Sequence, residues 1–210
     1  MSTVTRWWLI RHAPVPNPGG LIYGRSDPSA DTGDLATARA LARILPDAAV
    51  WVATPLRRTR QTAEALRPGV APLVEPGLAE QDFGVWEGLS HDSVAVWHPE
   101  GAKRFWSSPA TEAPPRGESF AAVMERVAAA LTRLTGGHPG ADLVAVMHGG
   151  SIRAALALAL DLTPDAALRL RIDPWSLTRI DFFPADGQAA GAWAVGGVNL
   201  LAGTFAPGGR

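Results

Sequence analysis

Apolar positions along this chain fall into two patterns. Short continuous runs end in a turn or a charged residue: Trp7-Trp8-Leu9-Ile10 leads into Arg11-His12, Ala49–Ala53 leads into Thr54-Pro55, and Leu143-Val144-Ala145-Val146-Met147 leads into His148-Gly149-Gly150. Runs without helical periodicity, closed by a turn, read as strands buried on both faces. Longer segments repeat apolar residues at helical spacing. Leu35, Ala38, Leu41, Ala42 and Leu45 do so within residues 32–45, and Phe120, Val123, Met124, Val127, Leu131 and Leu134 within residues 118–134. Two further helices are expected: one opening at Thr54-Pro55, read as a hydroxyl N-cap with proline in the first turn, and one over residues 151–160. Residues 73–74 and 78–83 read as short strands and residues 97–115 as an irregular excursion. Residues 175–183 and 192–195 read as a late hairpin joined through Pro184-Ala185-Asp186-Gly187. Strands alternating with helices predict an α/β three-layer sandwich, with a mostly parallel central sheet covered by helices on both faces.

Composition narrows the function classes. A length of 210 residues, 47% of them hydrophobic, suits one globular domain, expected over residues 1–205, with 206–210 as a disordered tail. The formal net charge of -1 argues against nucleic acid as a partner, since backbone binding needs a basic excess. Cysteine is absent, which excludes disulfides, thiolate catalysis and cysteine-held zinc. The chain enters its first strand with no basic and apolar leader, and its longest apolar stretch, residues 154–160, is too short to span a bilayer. The expectation is a cytoplasmic protein with no membrane partner.

The chemistry concentrates where the strands end. If the strands before His12 and His148 are parallel neighbours, both imidazoles fall at the carboxyl edge of the sheet, where open α/β folds bind ligands. Arg57, Arg58 and Arg60 lie in the first turns of a helix, where the macrodipole disfavours cations by about 0.3–1 kcal/mol each. Such a placement makes sense beside a bound anion held by backbone N–H groups and guanidinium forks. Arg11 beside His12, and Arg153 after the glycines that follow His148, extend the same logic. Arginines with two histidines and no sulfur describe a phosphoryl site. Arg57 and Arg60 remain open between anion contact and simple solvation.

Four blocks carry a family resemblance. Arg11-His12, the run from Thr54 to Ala63, the run Leu78-Ala79-Glu80-Gln81-Asp82-Phe83-Gly84-Val85-Trp86-Glu87-Gly88, and His148-Gly149-Gly150-Ser151-Ile152-Arg153 together resemble the histidine phosphatase superfamily, in its order. With Gly117-Glu118-Ser119 and the short length, the chain is most similar to the α-ribazole phosphatase and small-phosphatase branch. The resemblance implies a phosphoglycerate-mutase-like fold and a phosphomonoesterase that needs no metal or other cofactor. It implies His12 as nucleophile, Arg11, Arg58, His148 and Gly149 around the phosphate, His148 as a protonated donor, and Glu80 as acid and then base. Tyr23, Gly24 and Arg25 lie where a substrate-facing loop belongs. One departure stands out: Ala13-Pro14 replaces the family's usual glycine and the residue after it, which alanine tolerates only at negative φ.

The implied partner is a small phosphorylated metabolite. α-Ribazole 5′-phosphate, sugar phosphates, nucleotides and phosphoglycerates remain open, as does a cofactor-dependent phosphoglycerate mutase that shares the phosphohistidine. Two more distant readings are a non-catalytic binding module and a serine esterase with Ser119 as nucleophile. The latter fails on the prolines before Ser119 and on the order of its blocks. The late hairpin offers an edge at which two copies could pair. Trp86 or Trp106 is expected to line an apolar leaving-group pocket.

Overall fold

The computed structural model describes residues 3–186 and 190–205. Six strands, β1 (Thr5–Arg11), β2 (Ala49–Ala53), β3 (Leu73–Val74), β4 (Asp142–Met147), β5 (Leu177–Phe183) and β6 (Ala192–Leu200), form one sheet in the order β3-β2-β4-β1-β5-β6. The first four are mutually parallel; β5 is antiparallel to β1, and β6 is antiparallel to β5. Among the described residues seven α-helices accompany them: α1 (Leu35–Ala42), α2 (Arg57–Leu66), α3 (His91–Trp97), α4 (Pro99–Ser107), α5 (Phe120–Gly137), α6 (Gly149–Leu160) and α7 (Pro164–Leu168). No helix among the described residues is long and apolar enough to cross a membrane.

The period-two alternation of strand side chains produces the layers. Leu143, Ala145 and Met147 of β4 join Trp7 and Leu9 in a cluster with the apolar stripe of α5 and with α6. Val144 and Val146, pointing the other way, pack with Ile10, Trp51 and residues of α1 and α2. The sheet is thereby covered on both faces, as the alternating elements predict. A third cluster, Ile22, Trp86, Val94, Ala102 and Phe105, lies under α3 and α4. It gives the excursion over the sheet's carboxyl edge an apolar core of its own.

Several elements differ from expectation. Helix α1 starts at Leu35 because Asp34 caps it, its carboxylate accepting from Thr37 N–H at 3.0 Å. Thr54 is not a helix cap; α2 begins at Arg57, and the Thr54 hydroxyl is used elsewhere. About half of residues 97–115 are helical, α4 opening with Pro99 in its first turn, and the rest is irregular as expected. Residues 78–83 form no strand: their carbonyls find arginine donors instead of a ladder. The final strand extends to Leu200, beyond the expected Val195. Gly187 of the expected hairpin turn and the expected disordered tail at 206–210 lie outside the described residues.

Candidate active site

β1 and β4 are adjacent and in register, Arg11 opposite Met147, and His12 N–H donates to Met147 O at 3.0 Å. Each strand is followed at once by its histidine, so the two imidazoles leave the sheet edge side by side. Their ring centroids lie 5.2 Å apart at 63°. Both residues are buried.

The His12 ring is fixed by the residue after it. Its Nδ1 lies 2.6 Å from Ala13 O. A carbonyl can only accept, so the ring hydrogen is on Nδ1 and the lone pair on Nε2. Nε2 has no hydrogen-bond partner among the described residues, and it is not one of the sealed-off polar atoms. Ala13 is held in turn by its N–H to Thr62 Oγ1 at 2.9 Å, and it avoids positive φ, so the methyl group fits. Burial holds the His12 imidazole down to about 3; the Ala13 hydrogen bond opposes this, while the Arg58 and Arg11 charges push further down.

His148 is held from the opposite side. Its Nε2 lies 2.9 Å from Thr54 Oγ1, and its Nδ1 is buried without a partner. Thr54 Oγ1 also lies 3.1 Å from Thr59 Oγ1, and Thr59 Oγ1 is 2.8 Å from Leu56 O, so the hydroxyl pair fixes the His148 ring position. Burial first, then His12 and the Arg58 and Arg11 charges, hold the His148 imidazole well below its ordinary value. That direction favours a neutral His148 ring in the site as it stands.

Three guanidiniums surround this pair. Arg58 is fully buried, donates to Gly24 O at 2.6 Å and Ser26 O at 2.8 Å, and stacks under the Tyr23 ring with its Cζ 5.1 Å from the centroid. Arg11 donates to Ile172 O and Arg153 to Leu170 O. Among the described residues all three bond backbone carbonyls and no carboxylate. Nε of Arg11 and Nε of Arg58 are buried without partners. A buried cation lacking a counter-ion is costly, so the arrangement favours an incoming anion. Gly149, at the start of α6, packs beside Arg11 Nε.

Glu80 reaches the site from the segment before α3. Its carboxylate accepts from Gln81 N–H at 3.0 Å and Gly150 N–H at 3.3 Å. A methyl group on Gly150 would lie 2.3 Å from Glu80 Oε1, so only glycine allows this approach. The segment itself is gripped by Arg126 of α5, which donates to Gly77 O, Ala79 O and Glu80 O at 2.8–3.0 Å and twice to the Glu118 carboxylate. All five guanidinium donors are used. Burial alone would raise the Glu118 carboxyl; hydrogen bonds from Arg126 and Asp82 N–H, with the Arg126 and Arg25 charges, hold it below its ordinary range.

A second anchor holds the loop at 23–26. Glu87 accepts from the N–H groups of Arg25 and Ser26, both at 2.7 Å. Gly24, at φ +33°, passes so close that a methyl group there would lie 2.4 Å from Glu87 Oε1. That loop supplies the carbonyls that hold Arg58. Sequence patterns read Thr54 only as a helix cap and gave no site role to Arg126, Glu118 or Glu87. Glu87 lay within a recognised block, but a carboxylate that bonds backbone leaves no periodic signature.

Other candidates lie elsewhere. Arg25 turns away from the phosphate pocket toward Glu118 Oε1 at 3.2 Å and Glu80 O at 3.3 Å, whereas Tyr23 and Gly24 line the cavity. Arg57 is exposed and paired with Asp27, and Arg60 is exposed. Ser119 caps α5 through Ala122 N–H at 3.2 Å, a structural use that removes the esterase reading. Trp86 is buried in the α3–α4 cluster, while Trp106 lines the cavity.

Comparison with known proteins agrees with this geometry. A family model described as histidine phosphatase superfamily (branch 1) matches residues 7–193. A bifunctional protein of Mycobacterium tuberculosis is 33% identical over 202 residues, covering 90% of this chain and 53% of the relative. The chain thus spans about half the length of the first curated relatives it matches. A relative from Photorhabdus laumondii, named probable phosphoglycerate mutase, is 30% identical over 193 residues, covering 90% of this chain and 89% of its own. The solved mycobacterial glucosyl-3-phosphoglycerate phosphatase superposes with a TM-score of 0.79 at 28% identity, covering 94% of this chain and 99% of that one.

Proposed function

The chain belongs to the histidine phosphatase superfamily, branch 1, and from that premise we propose that it hydrolyses phosphate monoesters of small metabolites through a phosphohistidine on His12. The observation that carries this reading is the His12 Nε2 lone pair, without a hydrogen-bond partner among the described residues, within the field of the Arg11 and Arg58 guanidiniums. A neutral nucleophile and a cationic cradle are what in-line attack on a phosphoryl dianion requires.

The Nε2 lone pair attacks phosphorus and the ester P–O bond breaks. Arg11, Arg58, the backbone at Gly149 and a ring N–H of His148 take up charge on the peripheral oxygens. The Glu80 carboxyl passes its proton to the departing alkoxide and becomes a carboxylate. In the second step that carboxylate takes a proton from water, the resulting oxygen attacks phosphorus, the P–N bond breaks, and neutral His12 returns with its hydrogen still on Nδ1. The protein supplies every charge this cycle uses, so the activity should persist in chelator.

A mutase would pass the phosphoryl group back to a bound product instead of water, and the relative named as a mutase makes it the second reading. The deciding experiment is a phosphomonoester panel that includes α-ribazole 5′-phosphate and 3-phosphoglycerate. It is run with and without chelator, scoring released phosphate and isomerised product, with acid-labile phosphohistidine trapped by rapid alkaline quench. Phosphate release is expected, with the label on His12. His12→Ala should lose turnover by ~10⁴-fold or more, as removal of a covalent nucleophile does. An active His12→Ala enzyme would end the assignment.

A further inference from the structure

A cavity lined by Arg11, Glu80 and Gly150, though not by His12, His148 or Arg58 themselves, has a volume of about 440 Å³, within the roughly 300–1,000 Å³ of small-molecule sites. It is chemically divided. At one end are Arg11, Glu80, Gly150 and Arg153; the remaining wall is dominated by Ile22, Tyr23, Phe83, Phe105 and Trp106. We propose that this second half is a subsite for an apolar, ring-bearing alcohol, so that the preferred substrates are phosphate monoesters of hydrophobic alcohols rather than of acidic or polyhydroxylated ones. The proposal rests on the phosphatase reading above and specifies its leaving group.

The aromatic residues form a connected, pre-set surface. Phe105 meets Phe83 at 6.2 Å and Trp106 at 4.8 Å between centroids, both edge-to-face, and Trp106 is flanked by the His91 ring at 5.1 Å. Such contacts fix ring orientation before a ligand arrives. Phe105 is anchored in the α3–α4 core, yet its neighbour Trp106 is 47% exposed. A large indole left open on a cavity wall gains by covering an apolar ligand.

The cations present argue against an acidic leaving group. A glycerate-type alcohol carries a carboxylate that would need a second guanidinium or ammonium beyond the phosphate. Arg11 and Arg153 sit at the phosphoryl end and are tethered to Ile172 O and Leu170 O. Arg25, the nearest candidate by sequence, is committed to Glu118 and Glu80 O and is not in the wall. The polar groups there are the exposed His91, the buried Gln81, whose Nε2 already donates to Glu118 O, the Tyr23 hydroxyl and the Trp106 indole N–H. None supplies a fixed positive charge.

The test compares substrates that expel similar alkoxides, so that leaving-group reactivity is matched: 2-phenylethyl phosphate against 3-phosphoglycerate and glycerol 3-phosphate. The full chain should favour 2-phenylethyl phosphate in kcat/KM by about tenfold or more, the scale on which apolar pocket contacts discriminate. Trp106→Ser should collapse that ratio mainly through KM. Inhibition by vanadate, which fills only the phosphoryl position, checks that the variant's site is intact. Equal or better turnover of 3-phosphoglycerate, or a ratio unmoved in both Trp106→Ser and Phe83→Ser, overturns the apolar subsite while leaving a phosphatase. Absence of any phosphohistidine with all three esters overturns the parent reading, and this one with it.

Discussion

Single atoms carry much of the chemistry. Burial keeps His12 neutral down to about pH 3, whereas an unfolded chain protonates it near 6.5. The unfolded state therefore binds the extra proton between those values, and stability falls as pH drops through 6.5 toward 3. Each such histidine contributes a slope of about 1.4 kcal/mol per pH unit once the unfolded chain is fully protonated. Chemical denaturation at pH 6 and pH 5 should show the wild type losing stability faster than His12→Asn by up to that slope; equal slopes would contradict the buried neutral ring. Gly150 offers a second test. A methyl group there must displace the Glu80 carboxylate, so Gly150→Ala should lower turnover of alkyl phosphates by about 10²-fold or more, the worth of a general acid. Vanadate binding should change much less. Both histidines were legible from strand-ending motifs, and the tolerated Ala13 follows from backbone geometry. Thr54 was not legible: a hydroxyl before proline reads as a cap, and only the fold brings it to His148, 94 positions away.

Elements decide where Glu80 points. Residues 78–83 were expected to be strand because their apolar content suits one, but a strand needs a neighbour to satisfy its N–H and C=O groups. Arg126 of α5 substitutes for that neighbour, taking the carbonyls of Gly77, Ala79 and Glu80 while Glu118 orients its guanidinium. No local pattern announces such a bracket, since its halves are separated by more than forty positions, as with Arg126 and Glu80 O at a separation of 46. The α3 and α4 helices were missed for a different reason: spans of 7 and 9 residues hold too few turns for a period to emerge. Because the bracket acts on the proton donor, Arg126→Met should slow 2-phenylethyl phosphate, which needs protonation of its leaving group, more than 4-nitrophenyl phosphate, which does not. A loss equal for both esters would mark Arg126 as a stability residue alone. The conservative Arg126→Lys should restore little, because an ammonium cannot reproduce the planar five-donor fork.

Across the whole molecule, the sheet order is what converts two distant sequence blocks into one site. Placing β4 beside β1, in parallel and in register, brings groups 136 positions apart to a 5.2 Å ring separation. The alternation of apolar runs predicted the layers but not this adjacency, because strand order depends on long-range pairing that no local window contains. A consequence is that the ligand-free fold carries unneutralised charge where β1, β4, α2 and α6 converge, and a dianion should tighten that junction. Sulfate stays dianionic across the range from pH 5.5 to 7.5 and is a suitable probe. At 100 times its dissociation constant a ligand adds about 2.7 kcal/mol, or roughly 5–10 °C in Tm for a chain of this size. The pH dependence has a definite sign. The bound dianion raises the depressed imidazole values, so over the interval between free and bound values the complex takes up protons and binding tightens as pH falls. The sulfate-induced Tm shift should be larger at pH 5.5 than at 7.5, against chloride at matched ionic strength. Arg58→Met should retain only the general salting effect shared by all folded proteins. A shift independent of pH and of Arg58 would mean that the anion binds elsewhere, and that the buried guanidiniums and imidazoles at the strand ends do not form a common anion site.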